Sequence, residues 1–167
     1  AVSGCTEVRM PNRDTYTSPC PYINLGAAVE LTLNNGRLKA YGDELLTIET
    51  GTIDSFSTWE DFFAAYRKQQ KYLLKQAFRQ QYIVNRLRER HFASPLGSSL
   101  HKLCLKEHKD LHSAHIEGGI DLGYFDLIGF GTATDSLSAI RKNVYDDGVL
   151  TLKQVKHALD VNFEGLE

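Results

Sequence analysis

The spacing of apolar side chains predicts one long helix in the first half of the chain. A capping box at residues 57–60 marks its start, because a Ser hydroxyl and a Glu carboxylate three residues apart can bind the first free helical amides. Apolar residues then recur at three- and four-residue spacing to about Glu89, with polar residues between them. The predicted inward positions are Trp59, Phe62, Phe63, Tyr66, Leu73, Leu74, Ala77, Phe78, Val84 and Leu87.

Shorter helices are predicted on both sides of the long one. The first begins at Ile23 and stops at residues 34–36, where Gly36 can supply a left-handed cap. Another starts at residues 94–95 and ends near Leu111. One more helix follows residue 131, and a second capping box at residues 151–154 opens the last. Their predicted inward positions are Ala27, Leu31, Leu33, Leu96, Leu100, Leu103, Cys104, Leu137, Ile140, Val144, Val155, Ala158, Leu159 and Phe163.

The remaining segments are predicted to be loops and short strands. Residues 1–22 form a turn-rich loop with three of the four prolines, and residues 37–56 are irregular with short extended pieces. Residues 124–128 form an extended buried segment, and the glycines around it would let other backbone come close. The prediction is a mostly helical α/β chain with short strands.

Composition excludes several classes of protein. Of 167 residues, 42% are hydrophobic and 24% charged, which rules out disorder, collagen and a coiled coil. The 19 basic and 21 acidic residues leave a net charge of -2, so no nucleic acid or anionic membrane partner is expected. Apolar runs fall far short of the roughly 20 residues of a membrane span. Three cysteines are too few for a disulfide framework and favour a reducing, cytoplasmic location.

Both ends of the sequence predict a piece of a larger protein. The chain opens at Ala1 with no initiator Met and no signal-peptide pattern, and it closes at Glu167 just beyond a predicted helix. The histidines were weighed as a metal site. His108, His112 and His115 lie close in sequence, but the zinc-protease pattern is absent and surface histidines are favoured. Dinucleotide, phosphate-loop and serine-nucleophile motifs are also absent.

The candidate chemistry lies in the first loop. Cys5 and Glu7 are two residues apart, and in an extended segment such side chains project to the same side. A thiol and a carboxylate placed in this way could both reach one small substrate, with Glu7 as acid or base. By itself the spacing of Cys5 and Glu7 is weak evidence for a catalytic site, because a Cys two residues before a Glu arises often by chance. A buried apolar Cys and a surface Glu are the more ordinary interpretation.

Longer segments give this pair a context. Gly4 to Glu7, followed by Ile23 to Gly36, resembles the cysteine loop of glycyl radical enzymes, the family of pyruvate formate-lyase and the diol dehydratases. The resemblance continues in order along essentially the whole chain. It includes residues 56–62, 95–100, 117–119, 129–131, 135–140 and 158–165.

The resemblance implies a fold and a set of partners. The family fold is a ten-stranded α/β barrel, so residues 1–167 would be a central slice with residues 1–22 as the cysteine finger loop. The glycyl radical domain would lie outside this chain, and the slice alone would be inactive. This chain would bind no cofactor, because an activating enzyme with S-adenosylmethionine and an iron–sulfur cluster makes the radical. The radical would then pass from the glycine to Cys5, whose thiol would become a thiyl radical, and Glu7 would act as a proton shuttle.

Within the family, residues 9–16 and 119–125 look most like the arylacetate decarboxylases. The expected substrate is therefore 4-hydroxyphenylacetate, phenylacetate or indoleacetate, with Tyr22 and Leu38 as substrate-binding candidates. A homo-oligomer and a small accessory subunit are further candidate partners. Two alternatives stay open: a glycyl radical eliminase (a glycerol or diol dehydratase or a C–N lyase), and a non-catalytic helical interaction domain.

Overall fold

The computed structural model describes residues 2–3, 7–8, 10–14, 21–42, 44–113, 115–119 and 125–165. Among these residues most regular structure is helical and the strands are short, which confirms the prediction. The elements in chain order are β1 (Val2–Ser3), β2 (Glu7–Val8), β3 (Tyr22–Asn24), α1 (Leu25–Leu33), α2 (Trp59–His91), α3 (Pro95–Ser99), α4 (Lys102–Glu107), β4 (Asp126–Ile128), α5 (Phe130–Ile140) and α6 (Leu152–Asp160). Short 3₁₀ turns lie at Lys39–Tyr41 and Ile53–Ser55, and a π-helical turn at Arg141–Asp146 continues α5.

The strands form two sheets of two strands each in the described part of the chain. β1 and β2 are antiparallel, with Val2 opposite Val8 and Ser3 opposite Glu7. The second sheet pairs β3 with β4, so residues 126–128 are extended as predicted. The predicted burial of this segment is wrong, because the side chains of Leu127 and Ile128 are exposed among the described residues. A ten-stranded barrel is a property of a larger assembly than these four strands, and it stays an expectation here.

The chain divides into two compact units. The first comprises residues 1–22 and 76–126, and the second comprises residues 23–75 and 127–167. Each unit therefore combines two separate stretches of sequence. Among the described residues, no helix joins the length and the apolar character that crossing a membrane requires.

The second unit contains the larger hydrophobic core. Side chains from α1, α5, α6 and the first half of α2 meet there, and burial of this apolar surface is its main source of stability. The aromatic stripe of α2 contributes Phe62, which is fully buried and lies 5.7 Å from Phe56 between ring centroids. The buried members are Ala28, Val29, Leu33, Phe56, Phe62, Ala65, Tyr66, Ala133, Ile140 and Leu152.

Local hydrogen bonds set the limits of α1. The Asn24 side chain accepts a hydrogen bond from Ala27 N at 3.1 Å, so the helix begins at Leu25 and Ile23 lies in β3 instead. The helix stops where predicted, and Gly36 has the predicted left-handed conformation (φ 87°), as does Asn35 before it (φ 48°). Gly36 is required for a second reason: a Cβ at this position would lie 2.6 Å from the Ile48 carbonyl oxygen.

The long helix is confirmed, but its cap lies one residue later than predicted. Thr58 Oγ1 accepts from Asp61 N at 3.2 Å, and Asp61 Oδ2 accepts from Thr58 N at 3.0 Å. Thr58 and Asp61 have the same three-residue spacing as Ser57 and Glu60, so the sequence signal fitted both registers. In α6, by contrast, Thr151 and Gln154 form the predicted capping box.

Two predictions about the shorter helices are wrong. The helix predicted from residue 94 to Leu111 is two helices, α3 and α4, which are separated at Leu100 and His101. Several predicted inward side chains are also exposed, because within the described residues the apolar faces are wider than the elements packed on them. They are Phe63, Leu74, Phe78, Leu87, Leu96, Leu100, Leu159 and Phe163.

A buried amide holds the irregular segment 44–51 against α2. Gln69 is fully buried, and its Nε2 donates to the Ile48 carbonyl oxygen at 2.8 Å and to Thr50 Oγ1 at 3.2 Å. Its Oε1 accepts from Thr47 Oγ1 at 2.7 Å. Asn35 Oδ1 accepts two further amides of this segment, those of Thr50 and Gly51. A segment without regular structure thus has its polar groups satisfied by two side chains.

Replacement of Gln69 with Leu should loosen this segment. The change leaves a buried carbonyl and two hydroxyls without their partner, at a cost of about 1–3 kcal/mol. In the full-length protein, hydrogen exchange followed by mass spectrometry should show faster exchange of the amides of residues 44–51. Gln76→Leu, an exposed position on the same helix, is the matched control. Equal protection in both variants would contradict the role of the amide.

Candidate functional site

The strand register defines the candidate site in the first unit. Because Ser3 is opposite Glu7, residues 4–6 connect the two strands, and Cys5 is the middle residue of that connection. Cys5 itself lies outside the described residues, as does the side chain of Glu7. The described backbone places Glu7 in β2, at the position next to the connection. The hypothesis that these two residues form a catalytic pair therefore stays a prediction.

Short antiparallel pairing is consistent with the predicted use of Cys5. A connection of residues 4–6 is the length of a tight hairpin loop. The adjacent Glu7 is fixed at the backbone by its pairing with Ser3. A thiol and a carboxylate two residues apart in sequence could act on two neighbouring atoms of one small substrate.

The two predicted substrate-binding residues lie in different units. Tyr22 opens β3, and its side chain is 71% exposed. Leu38 is half-buried just before the 3₁₀ turn, where its carbonyl oxygen accepts from Tyr41 N at 3.0 Å. No contact described for either residue identifies a ligand, so both assignments stay predictions.

A second cysteine of the chain has a different environment. Cys104 in α4 is 2% exposed, and burial raises the pKa of its thiol, with the Asp110 carboxylate acting in the same direction. A buried thiol with a raised pKa is a poor nucleophile and packs as a small apolar group. Cys104 is therefore a suitable comparison residue for Cys5.

Of the three histidines considered as metal ligands, His112 has a side-chain contact with backbone instead. His108 ends α4 in the left-handed conformation (φ 51°), and His112 Nδ1 lies within hydrogen-bond distance of the Phe92 carbonyl oxygen. His112 Nδ1 and Asp110 Oδ1 are 4.0 Å apart. Across the described residues, no three or more His, Cys, Asp or Glu side chains are grouped as metal ligands would be.

Asp110 has a structural role that the sequence did not reveal. Its Oδ2 accepts from Ser94 N at 2.8 Å and from Ser98 Oγ at 2.9 Å, and its Oδ1 accepts from His112 N at 2.9 Å. Burial alone would raise the pKa of this carboxyl, but these hydrogen bonds outweigh burial and hold the pKa below its usual value. The carboxylate thus connects the start of α3 to the segment after α4.

The turn at residues 10–14 also contacts α4. It is the first described segment after β2, and its Asn12 Oδ1 accepts from Lys102 N, the first amide of α4, at 3.1 Å. Asn12 was not a candidate at the sequence level, because the two residues are 90 positions apart. Its backbone has a positive φ (58°), which is uncommon for residues other than glycine and is tolerated best by Asn and Asp.

A large cavity lies in the second unit. Its volume is about 1020 Å³, and side chains of α1, α5 and α6 line it, including Val29, Ile140 and Leu159. Neither Tyr22 nor Leu38 is among the residues that line it.

Comparison with known proteins identifies the family. The family model for pyruvate formate lyase-like proteins matches residues 1–167, which is the whole chain. The chain belongs to the pyruvate formate lyase-like family. The resemblance to glycyl radical enzymes is thereby confirmed at the level of the family.

Individual members of the family show higher or lower identity to this chain. Isethionate sulfite-lyase from Desulfovibrio desulfuricans is 54% identical over 167 residues, which is 100% of this chain and 20% of that protein. Trans-4-hydroxy-L-proline dehydratase from Clostridioides difficile is 33% identical over 99% of this chain and 20% of its own. The crystal structure of that organism's hydroxyproline dehydratase, with substrate bound, matches with a TM-score of 0.78 over 86% of this chain and 18% of its own. The chain thus spans about a fifth of the length of the curated relatives.

The expectation of an arylacetate decarboxylase is wrong. The relatives of high identity are isethionate sulfite-lyases, followed at lower identity by a dehydratase, and these names favour the eliminase alternative. The physical reason for the error is that Cys5 and Glu7 suit either reaction. A hydrogen-abstracting thiol and a neighbouring carboxylate serve loss of carbon dioxide as well as elimination. Of the two segments that favoured the decarboxylase branch, 9–16 is described at residues 10–14, and 119–125 is described only at residues 119 and 125.

Replacement of Asp110 with Asn should destabilise the protein in a pH-dependent way. The asparagine side chain can accept hydrogen bonds through one oxygen only. Either the bonds from Ser94 and Ser98 or the bond from His112 is therefore lost, which lowers the free energy of unfolding by about 1–3 kcal/mol. Because the pKa of Asp110 is lowered in the folded state, its contribution is complete above the unfolded-state pKa and disappears as the pH falls through the folded pKa.

The difference in melting temperature between the full-length protein and Asp110→Asn measures this effect. It should be constant from neutral pH down to the carboxyl range and should shrink on further acidification. Asp135→Asn, at an exposed position of α5, is the matched control and should cause little change at any pH. A difference that grows in acid would contradict the lowered pKa.

Proposed function

We propose that this chain is part of a glycyl radical lyase that releases sulfite from isethionate. One observation carries the proposal: four isethionate sulfite-lyases are 52% to 57% identical over the whole chain, against 33% for the hydroxyproline dehydratase. Catalysis would need the rest of the protein, including the radical glycine, and an activating enzyme that uses S-adenosylmethionine. The glycyl radical would supply the oxidising equivalent that converts the Cys5 thiol to a thiyl radical.

The proposed reaction is an elimination that begins at the carbon bearing the hydroxyl group. Isethionate has a hydroxyl on one carbon and a sulfonate on the next. The Cys5 thiyl radical removes a hydrogen atom from the hydroxyl-bearing carbon, so a C–H bond breaks and an S–H bond forms. The Glu7 carboxylate accepts the hydroxyl proton, which places negative charge on the oxygen beside the radical carbon.

Loss of sulfite follows from this charge. The C–S bond breaks with its electron pair leaving on sulfite, and the remaining fragment is the radical of acetaldehyde. That radical takes the hydrogen atom back from the Cys5 thiol, which gives acetaldehyde and restores the thiyl radical. The proton on Glu7 passes to sulfite. Atoms and electrons balance without any further oxidant or reductant.

The hairpin supports these roles for Cys5 and Glu7. The hydrogen atom and the proton leave a carbon and the oxygen bonded to it, so the thiol and the carboxylate must reach adjacent atoms. Cys5 and Glu7 are two residues apart, and Glu7 is anchored at the backbone by the pairing of β2 with β1. The thiol and the carboxylate would then belong to one short element and would move together relative to the substrate.

The substrate assignment predicts a specific product pair. The full-length protein, activated under strict anaerobiosis, should convert isethionate to equal amounts of sulfite and acetaldehyde. Both products can be measured in one sample, by sulfite derivatisation and by coupled reduction of the aldehyde. Trans-4-hydroxy-L-proline should be turned over at least about 10²-fold more slowly, as expected when a site built for one polar group meets another. Turnover of hydroxyproline without sulfite release from isethionate would overturn the assignment.

The proposed roles of the pair predict two different losses. Cys5→Ser should abolish sulfite release while the glycyl radical signal in electron paramagnetic resonance persists, because a hydroxyl cannot serve as the hydrogen-atom carrier. Glu7→Gln should keep the signal but reduce kcat by about 10²- to 10⁴-fold, the usual contribution of a general base. Cys104→Ala and Glu44→Gln, which alter a buried cysteine and an exposed glutamate, are the matched controls. Near-native turnover in Cys5→Ser would remove the thiol from the mechanism.

A further inference from the structure

The hairpin that carries the proposed catalytic pair has little internal support. Its described pairing consists of two residues on each strand, Val2 with Val8 and Ser3 with Glu7. Two-stranded hairpins are marginal in water, so the position of this one must be fixed by contacts outside its own strands. Arg9 alone separates the end of β2 from the turn at residues 10–14, and one residue spans only about 3.5 Å. A shift of that turn would therefore be transmitted to the strands.

Three long-range hydrogen bonds hold this turn within the first unit. Asn12 Oδ1 accepts from Lys102 N at 3.1 Å, and Arg13 Nε donates to the Gly118 carbonyl oxygen at 3.2 Å. His101 Nε2 lies 3.3 Å from the Asp14 carbonyl oxygen. We call these three contacts the turn clamp. They join three consecutive residues of the turn to two sites that are about 90 to 105 positions away.

The contacts of the turn clamp on α4 are reciprocal. His101 is the residue before the helix and makes no side-chain capping bond to it, so the Asn12 side chain from the turn caps the first amide instead. In return the His101 ring binds the turn. Because a carbonyl oxygen only accepts, Nε2 must carry the hydrogen. The other ring nitrogen, Nδ1, is buried and has no hydrogen-bond partner among the described residues.

We propose that the turn clamp positions the Cys5–Glu7 hairpin for hydrogen abstraction, with Asn12 as the principal positioning residue. The proposal rests on the proposed function for its kinetic consequence. Asn12 suits this role because its left-handed backbone (φ 58°) turns the side chain toward α4 while the chain continues from β2. The backbone inside the turn is fixed as well, since Arg13 N and Asp14 N both donate to the Met10 carbonyl oxygen.

Replacements of Asn12 separate positioning from general stability. Asn12→Gly accommodates the left-handed backbone and removes only the acceptor, whereas Asn12→Asp keeps an oxygen for the Lys102 amide. In the activated full-length protein, Asn12→Gly should lower kcat by about 10- to 100-fold with little change in KM, because a small displacement of the reacting group has that effect. Asn12→Asp should restore most of the rate. The glycyl radical content should be the same in both.

Asn162→Gly is the matched control. Asn162 is also a left-handed asparagine (φ 52°), but it is exposed in the second unit, so its replacement should leave kcat unchanged. Wild-type kcat in Asn12→Gly would overturn the proposal. Equal loss of activity, radical content and melting temperature in Asn12→Gly and Asn12→Asp would also overturn it, because Asn12 would then be needed only for folding.

A second readout does not depend on the substrate. This readout is the rate at which iodoacetamide alkylates Cys5 in the full-length protein before activation, followed by peptide mass spectrometry. The rate depends on the position of the hairpin, because that position determines the accessibility and surroundings of the thiol. Asn12→Gly should change this rate severalfold, while Asn12→Asp and Asn162→Gly should match the wild type. A changed rate in a protein that does not act on isethionate would support the turn clamp and refute the substrate. An unchanged rate in Asn12→Gly would refute the turn clamp, whatever the substrate.

Discussion

Buried backbone groups outside regular helices must find hydrogen-bond partners, and in this chain a few polar side chains supply them. Gln69 binds the irregular segment next to α2, and Asp110 joins the start of α3 to the segment after α4. Asn12 Oδ1, from a distant turn, accepts a hydrogen bond from the first amide of α4. In each case one uncharged amide or one carboxylate fixes segments that neither hydrophobic packing nor strand pairing would hold. The placement of the cysteine hairpin depends on contacts of this kind.

The proposed chemistry also needs only a few side chains. A thiol that exchanges a hydrogen atom and a carboxylate that exchanges a proton are sufficient for elimination, because both are regenerated in each cycle. That sufficiency also explains why the pair did not reveal the substrate. Cys5 and Glu7 would serve a decarboxylase or an eliminase, and the distinction came from identity over the whole chain to isethionate sulfite-lyases. This chain spans about a fifth of the length of such proteins.

The site was predictable from the sequence only in part. The spacing of Cys5 and Glu7 and the segments around them led to the family, which the family model confirms over residues 1–167. The turn clamp was not predictable, since Asn12 and Lys102 are 90 positions apart in the chain and no local pattern pairs them. Asp110 lies between His108 and His112 in the sequence, and in the structure its oxygens accept hydrogen bonds from Ser94, Ser98 and His112.

The sequence by itself determined the elements whose signals are local. The amphipathic spacing of α2, the capping box at Thr151 and the stop after α1 all depend on residues within about one or two helical turns of each other. Tertiary structure decided which of two equivalent caps starts α2 and where the helix after residue 94 is interrupted. It also decided which apolar side chains are covered and which turn caps α4. These outcomes depend on contacts between residues that are distant in sequence, and a one-dimensional pattern carries no information about which distant groups will meet.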